Sequence, residues 1–286
     1  MITLGEALKN SSEALLEFSD SPNLDALTLL ADRIGESRAW ILAHPEVKLA
    51  ESTKQLIQND IAQLKNGMPL PYVVGHWEFY GLDFTLNQNT LIPRPETELL
   101  VEHALSWIDH HPDRRWVADV GTGSGCIAIT LAKIQPSLSL IALDLSFLAL
   151  KVARENAFRH NVSNQVNFIQ SNLLDPLVQP FDIICANLPY IPSDLLPSLE
   201  VAKKEPKLAL NGGQDGFDVI SRFLGGASEK IAPGGCVLFE IEQSQCPQVQ
   251  KIAQQLFPLA EITVHKDLAG LDRLISIQLP EDNGIY

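Results

Sequence analysis

No uninterrupted apolar run in the sequence approaches the roughly 18 residues that a membrane-crossing helix takes. The first residues, MITLGEALKNSSEALLEFSD, also lack a basic start leading into an apolar core. A soluble, cytoplasmic protein with no membrane partner is therefore expected. Cysteine is scarce and scattered: Cys126, Cys185, Cys236 and Cys246 form no CxxC pair and have no spaced histidine partners. Neither a metal site nor a disulfide framework is expected, and free thiols in a reducing compartment are. Positive charge is short as well, with 21 Lys and Arg against 35 Asp and Glu, a net charge of -14 and a pI near 4.9. That balance argues against a broad phosphate-binding face, so no direct nucleic-acid partner is expected. Internal repeats and low-complexity segments are absent too.

What is present suits an ordinary folded core: 45% apolar and 20% charged residues over 286 positions, room for one large α/β domain and a smaller one. Residues 1–70 read as entirely helical. Leu4, Leu8, Leu15 and Phe18 fit one helix face, and Ser21-Pro22 offers a cap and a first-turn proline before Leu24, Leu27, Leu30 and Ile34. A further helix runs over 38–43 and should stop at His44, because Pro45 disfavours helical geometry in the residue before it. Another spans 52–65 and is closed by Asn66-Gly67. This acidic segment carries no catalytic motif and is expected to dock a partner or to cap the fold.

From Pro71 the residues turn aromatic and β-rich, and Gly81 after Phe79-Tyr80 predicts a hairpin, so 71–90 is expected to link the two domains. His76, beside Trp77 and without a second ligand nearby, reads as structural. The segment 91–98, LIPRPETE, places two prolines around Arg94 and opens a helix whose buried stripe is Leu100, Val101, Ala104, Leu105 and Ile108. From Trp116 onward strand and helix patterns alternate, with strands expected at 116–120, 139–144, 166–169, 181–186, 235–241, 260–265 and 273–279. Such alternation predicts a doubly wound, mainly parallel α/β sheet across 91–286.

Two stretches carry chemistry. Strand 116–120 runs into Gly121-Thr122-Gly123-Ser124-Gly125, with Asp119 in the strand itself and a helix following. Glycines there let the backbone approach a ligand closely. The next strand ends at Asp144, an acid suited to both hydroxyls of a ribose. The GxGxG spacing differs from the dinucleotide loop that holds a pyrophosphate, and a nucleoside carrying an amino acid needs close approach without that anion. S-adenosylmethionine is the expected cofactor, with Asn172 and Leu173 in QSNLL facing its base. The second stretch, 181–191, is a buried apolar strand that stops in Asn187-Leu188-Pro189-Tyr190. Asn187 and a free backbone carbonyl can grip a flat group bearing an NH2, with Tyr190 packed on its plane.

Together these segments resemble the HemK/PrmC family of peptide chain release factor glutamine N5-methyltransferases, over nearly the whole chain. The residues that carry the likeness are 91–98, DVGTGSGCIAI from Asp119, Asn187-Leu188-Pro189-Tyr190-Ile191, Glu205-Pro206, Leu208-Ala209-Leu210, Gly212-Gly213-Gln214-Asp215-Gly216, Glu240-Ile241 and 267–273. The resemblance implies a class I (Rossmann-like) methyltransferase domain and a helical N-terminal domain that helps recognise the release factor. It further implies methylation of the glutamine in that factor's Gly-Gly-Gln loop, with Asn187, Leu188, Pro189 and Tyr190 binding the substrate and performing catalysis. Asn187 would also touch the cofactor. Position 188 is Leu where the family usually has Pro, and Asn172 stands where it often has Asp; a backbone carbonyl at 188 survives the first change. Two alternatives stay open at this point. One is an adenine-N6 methyltransferase, since the NLPY spelling also occurs in enzymes resembling ribosomal RNA adenine dimethylases; the other is a non-catalytic cofactor-binding adaptor. A monomer is expected.

Overall fold

Helix formation begins at the third residue, where Thr3 accepts from the Glu6 N–H at 3.3 Å and the Glu6 carboxylate accepts from the Thr3 N–H at 2.8 Å. This reciprocal capping box opens α1 (Leu4–Leu15). In the computed structural model, which describes residues 2–281, α1 is followed by α2 (Pro22–Ile34), α3 (Arg38–Ala43), α4 (Glu51–Lys65) and α5 (Leu70–Val74). The chain divides into two compact units, Met1–His76 and Trp77–Tyr286.

The first unit is helical as expected, but its apolar stripes are rotated. Phe18 and Leu24 are half exposed, while Ala26, Leu29 and Leu30 are buried. The reason is local: α1 ends before Phe18, whose ring lies under Lys65 Nζ at 5.2 Å, and Leu24 falls in the first turn of α2. Residues 26, 29 and 30 then share the inward face at helical spacing. The expected β-rich start at Pro71 is also corrected, because Pro71 sits in the first turn of α5 and Gly75, at φ 86°, closes it. His76 is structural: its Nε2 lies 2.6 Å from Asp32 Oδ1, and Asp32 in turn accepts from Arg33, which also binds Asp60 at 2.6 Å.

The hairpin consists of β1 (His76–Phe79) and β2 (Leu82–Thr85). Tyr80 and Gly81 both have positive φ (52° and 73°), the two-residue turn that matches strand twist. Its Phe79 and Phe84 are buried in the core of the second unit, so the division falls at residue 76, inside the expected linker. Beyond it come α6 (Glu98–His110), β3 (Trp116–Val120), α7 (Cys126–Ile134), β4 (Ser139–Asp144), α8 (Phe147–Arg159), β5 (Val166–Gln170) and β6 (Phe181–Ala186). The chain continues through α9 (Glu200–Lys204), α10 (Asp218–Lys230), β7 (Ile231–Glu240), α11 (Cys246–Leu256), β8 (Glu261–Lys266) and β9 (Asp272–Gln278). Residues 282–286 of the expected domain lie outside the described ones.

Seven strands form one sheet in the order β5-β4-β3-β6-β7-β9-β8. β5, β4, β3, β6 and β7 pair in parallel, and β9 alone runs the other way, antiparallel to both β7 and β8. Both faces are covered: successive residues of a strand point to opposite sides, and Ile183 packs into one apolar core while Ile184 packs into the other. The order reverses between β3 and β6, which leaves a crevice at the carboxyl ends of these strands.

Candidate active site

Asp119 organises the first wall of that crevice from within β3. It is wholly buried; its Oδ2 accepts from Thr122 Oγ1 at 2.6 Å and from the Ala128 N–H at 3.1 Å. Gly125, which precedes α7, has no side chain to cap the helix, so Asp119 supplies the acceptor that the first turn lacks. Burial pushes its carboxyl up to about 6. Four of the loop's N–H donors are already bonded within the protein. The N–H groups of Gly121 and Thr122 donate to Leu143 O, that of Gly125 to Thr122 O, and that of Gly123 to Asp144 Oδ2 at 2.8 Å.

A cavity of about 200 Å³ opens between this loop and the ends of β4, β5 and β6. Of the residues singled out in the sequence, Gly121, Gly123, Asp144, Asn172, Leu173, Asn187, Leu188 and Pro189 line it together. Thr122, Ser124 and Gly125 are not among its wall residues. Thr122 and Ser124 are buried beneath the loop, and a Cβ at Gly125 would meet Ile129 Cδ1 at 2.6 Å. These three residues build the loop, because a turn this tight needs its small side chains turned inward. Gly121 has a different constraint: at φ 77°, an added Cβ would lie 3.0 Å from Leu188 Cδ2. The loop and the turn after β6 are thus in direct apposition.

Asp144 is half-buried, and each of its oxygens takes one backbone N–H, from Gly123 and from Ser146, both at 2.8 Å. Burial raises its pKa. Each carboxylate oxygen keeps a second lone pair for a ligand hydroxyl. Asn172 is exposed at the rim, and Leu173 holds a positive φ of 55°. Tyr190 is not a wall residue either. Its ring packs against the core and its hydroxyl sits 3.5 Å from Glu240 Oε1, burial pushing the phenol up to about 12. Tyr190 thus makes an inward contact with Glu240 that the sequence reading did not include.

Asn187 shows what sequence reasoning missed. Its Nδ2 donates to Thr97 Oγ1 at 2.8 Å and to Glu240 Oε2 at 2.9 Å, so its remaining polar atom, Oδ1, is an acceptor. Both partners lie in segments quoted above, yet nothing about a threonine in LIPRPETE or an acid ending a strand announces contact with residue 187. The opposite wall, formed by 89–91 and by Pro206, Leu208, Ala209 and Asn211, is clamped at its base. Buried Glu205 accepts from the Ile92 N–H at 3.0 Å with one oxygen and from Arg94 Nη2 with the other.

Two family models match the chain: a PrmC N-terminal domain over residues 6–75 and a methyltransferase small domain over 95–201. The release factor glutamine methyltransferase of Coxiella burnetii is 36% identical over 96% of this chain and 98% of its own length. That of Moorella thermoacetica is 38% identical over 94% of this chain and 95% of its own. The chain belongs to the release factor glutamine methyltransferase family. A solved methyltransferase from Pyrococcus furiosus, 15% identical, superposes with a TM-score of 0.52 over 81% of this chain and all of that one, which shows the shared fold. As a family member, the chain is an enzyme with a class I methyltransferase fold. Among the described residues no helix is long and apolar enough to cross a membrane, and no group of three or more His, Cys, Asp or Glu residues could hold a metal ion.

Proposed function

We propose that this chain transfers a methyl group from S-adenosylmethionine to the side-chain amide nitrogen of the glutamine in the Gly-Gly-Gln loop of a peptide chain release factor. The observation that carries this reading is Asn187, a cavity-lining residue whose amide nitrogen is committed to Thr97 and Glu240, which leaves its oxygen as the acceptor for a ligand. A group gripped there must donate hydrogens, as a carboxamide NH2 does.

The loop supports the choice of cofactor. Four of its N–H groups are already bonded and one of those bonds ends on the Asp144 carboxylate, so it is a poor cradle for a pyrophosphate. Close backbone approach at Gly121 and Gly123, the Asp144 acceptor and the apolar side chains of Leu145, Leu173 and Val219 suit a nucleoside bearing an amino acid. When bound, S-adenosylmethionine supplies an electrophilic methyl group.

A carboxamide nitrogen is a weak nucleophile because its lone pair is shared with the carbonyl. Asn187 Oδ1 and the Leu188 carbonyl would accept its two N–H bonds, hold the nitrogen in line and stabilise the positive charge that develops on it. Such charge-assisted bonds are worth about 1.5 to 3 kcal/mol each, or about ten- to a hundredfold in rate. No general base is needed before transfer, because the nitrogen becomes acidic only once alkylated; its proton then leaves to solvent.

In this reading residues 1–70 dock the release factor, and the protein acts as a cytoplasmic monomer without a nucleic-acid partner. Incubation with labelled cofactor and separately purified release factors and nucleic acids, followed by mapping of the modified atom, tests the reaction. Label on the glutamine Nε2 is expected, and label on an adenine N6 instead, or no transfer at all, would refute it. Cross-linking to the whole release factor should give links in residues 1–70, and links confined to 77–281 would refute the docking role.

A further inference from the structure

Glu240 is only 3% exposed, a buried acid at the end of β7 without a lining position in the cavity. Its Oε2 accepts from Thr97 Oγ1 at 2.7 Å and from Asn187 Nδ2 at 2.9 Å. The threonine hydroxyl has one hydrogen, and that hydrogen goes to Glu240. Only its lone pairs remain for Asn187 Nδ2, 2.8 Å away. With Glu240 ionised and therefore an acceptor only, the direction of each bond is thereby fixed.

The consequence lies in the near-symmetry of an asparagine amide, whose oxygen and nitrogen can exchange places with almost no change of shape. Partners alone distinguish the two orientations. In the reversed one, Oδ1 would face a carboxylate oxygen and a hydroxyl oxygen with one hydrogen among the three acceptors, a buried arrangement that is costly. We infer that Glu240 and Thr97 are positioning residues that lock the Asn187 amide with Oδ1, and not the NH2, available to the reacting group. The chemical consequence rests on the amide-methylating reading above; the orientation of the amide does not.

Thr97→Val keeps the shape and removes the hydroxyl, and Glu240→Gln keeps the shape and removes the charge. Each should lower kcat about tenfold, raise KM for the release factor less than threefold and leave cofactor affinity within twofold by calorimetry. Thr97→Ser, which restores the hydroxyl, should recover kcat to within about threefold of the native enzyme. In an Asn187→Ala background, adding Thr97→Val should change kcat less than twofold, since no amide is left to orient. Native kcat in Thr97→Val and Glu240→Gln, or a tenfold loss that persists in the Asn187→Ala background, would overturn the inference.

A second measurement does not depend on the substrate. The Asn187 side-chain amide protons, assigned by their loss in Asn187→Ala, should exchange with solvent at least tenfold more slowly than exposed asparagine amides, and Thr97→Val should remove that protection. Exchange at the exposed rate in the native protein would overturn the inference even if methylation is confirmed. Protection with no methylation of any release factor would instead refute the functional reading and leave the positioning intact.

Discussion

The loop after β3 and the turn after β6 stand side by side at the carboxyl ends of neighbouring parallel strands, yet they are built on opposite principles. In the loop, polar groups are turned inward: Asp119 holds Thr122 and the first turn of α7, and four backbone donors are consumed. In the turn, the polar group that matters is left outward, because Thr97 and Glu240 take the nitrogen end of Asn187. A glycine-rich loop here contributes shape, and the asparagine turn contributes a directed acceptor. Changes on the loop side should therefore appear in stability or cofactor affinity, and changes in the turn should appear in turnover.

The largest expected effect tests the inward side. Asp119 is raised from 3.8 to about 6 by burial, so the folded protein holds this proton more tightly than the unfolded chain. Stability from this group is fully present below about pH 4 and falls as pH rises toward 6, by about 3 kcal/mol for a shift of about two units. Denaturant titrations of the native protein and Asp119→Asn across this window should show the difference between them moving by that amount. A difference independent of pH would remove the buried-acid role.

Next comes the outward side. Asn187→Ala should lower kcat by about a hundredfold or more, some 2.7 kcal/mol, while cofactor affinity stays within twofold. Near-native methylation of a release factor by this variant would sink the acceptor mechanism even with the family assignment intact. Asp144→Ala tests whether the loop side also meets the cofactor. It should weaken cofactor binding about tenfold by calorimetry and leave kcat at saturating cofactor much less changed; unchanged affinity would take Asp144 out of the site.

The smallest effect separates backbone from side chain in the turn. Leu188 packs its side chain against Gly121, but the group assigned to the substrate is its carbonyl. Leu188→Pro should keep activity within about tenfold, an allowance of roughly 1.4 kcal/mol for repacking. A loss as large as that of Asn187→Ala would mean that side-chain contact with the loop, and not the carbonyl, governs this position.

Much of the architecture was written locally, which is why it could be read from the residues. Strands 116–120, 139–144 and 181–186 fall where expected because an apolar run bounded by turn residues is a local signal. The glycine loop and Asp144 could likewise be placed, since a strand, a tight turn and a helix occupy consecutive positions. Local signals failed where a boundary shifted by a few residues. Leu24 and Phe18 were expected inside and lie half exposed, because the actual helix ends decide which face a residue occupies. Pro71 starts a short helix that an aromatic, β-rich composition conceals.

The sequence by itself therefore determined the sheet, the glycine loop, the asparagine turn and the family to which they belong. Which atoms of those elements face the cavity was decided only by tertiary structure. Burial of Thr122 and Ser124, the inward turn of Tyr190 and the choice between the two ends of the Asn187 amide all depend on partners remote in the chain. Thr97 and Glu240 lie 90 and 53 residues from Asn187. A hydrogen bond acts over about 3 Å, so no pattern of neighbouring residues encodes such a meeting; it exists only once β6 and β7 are paired and the 95–97 turn is packed beside their ends.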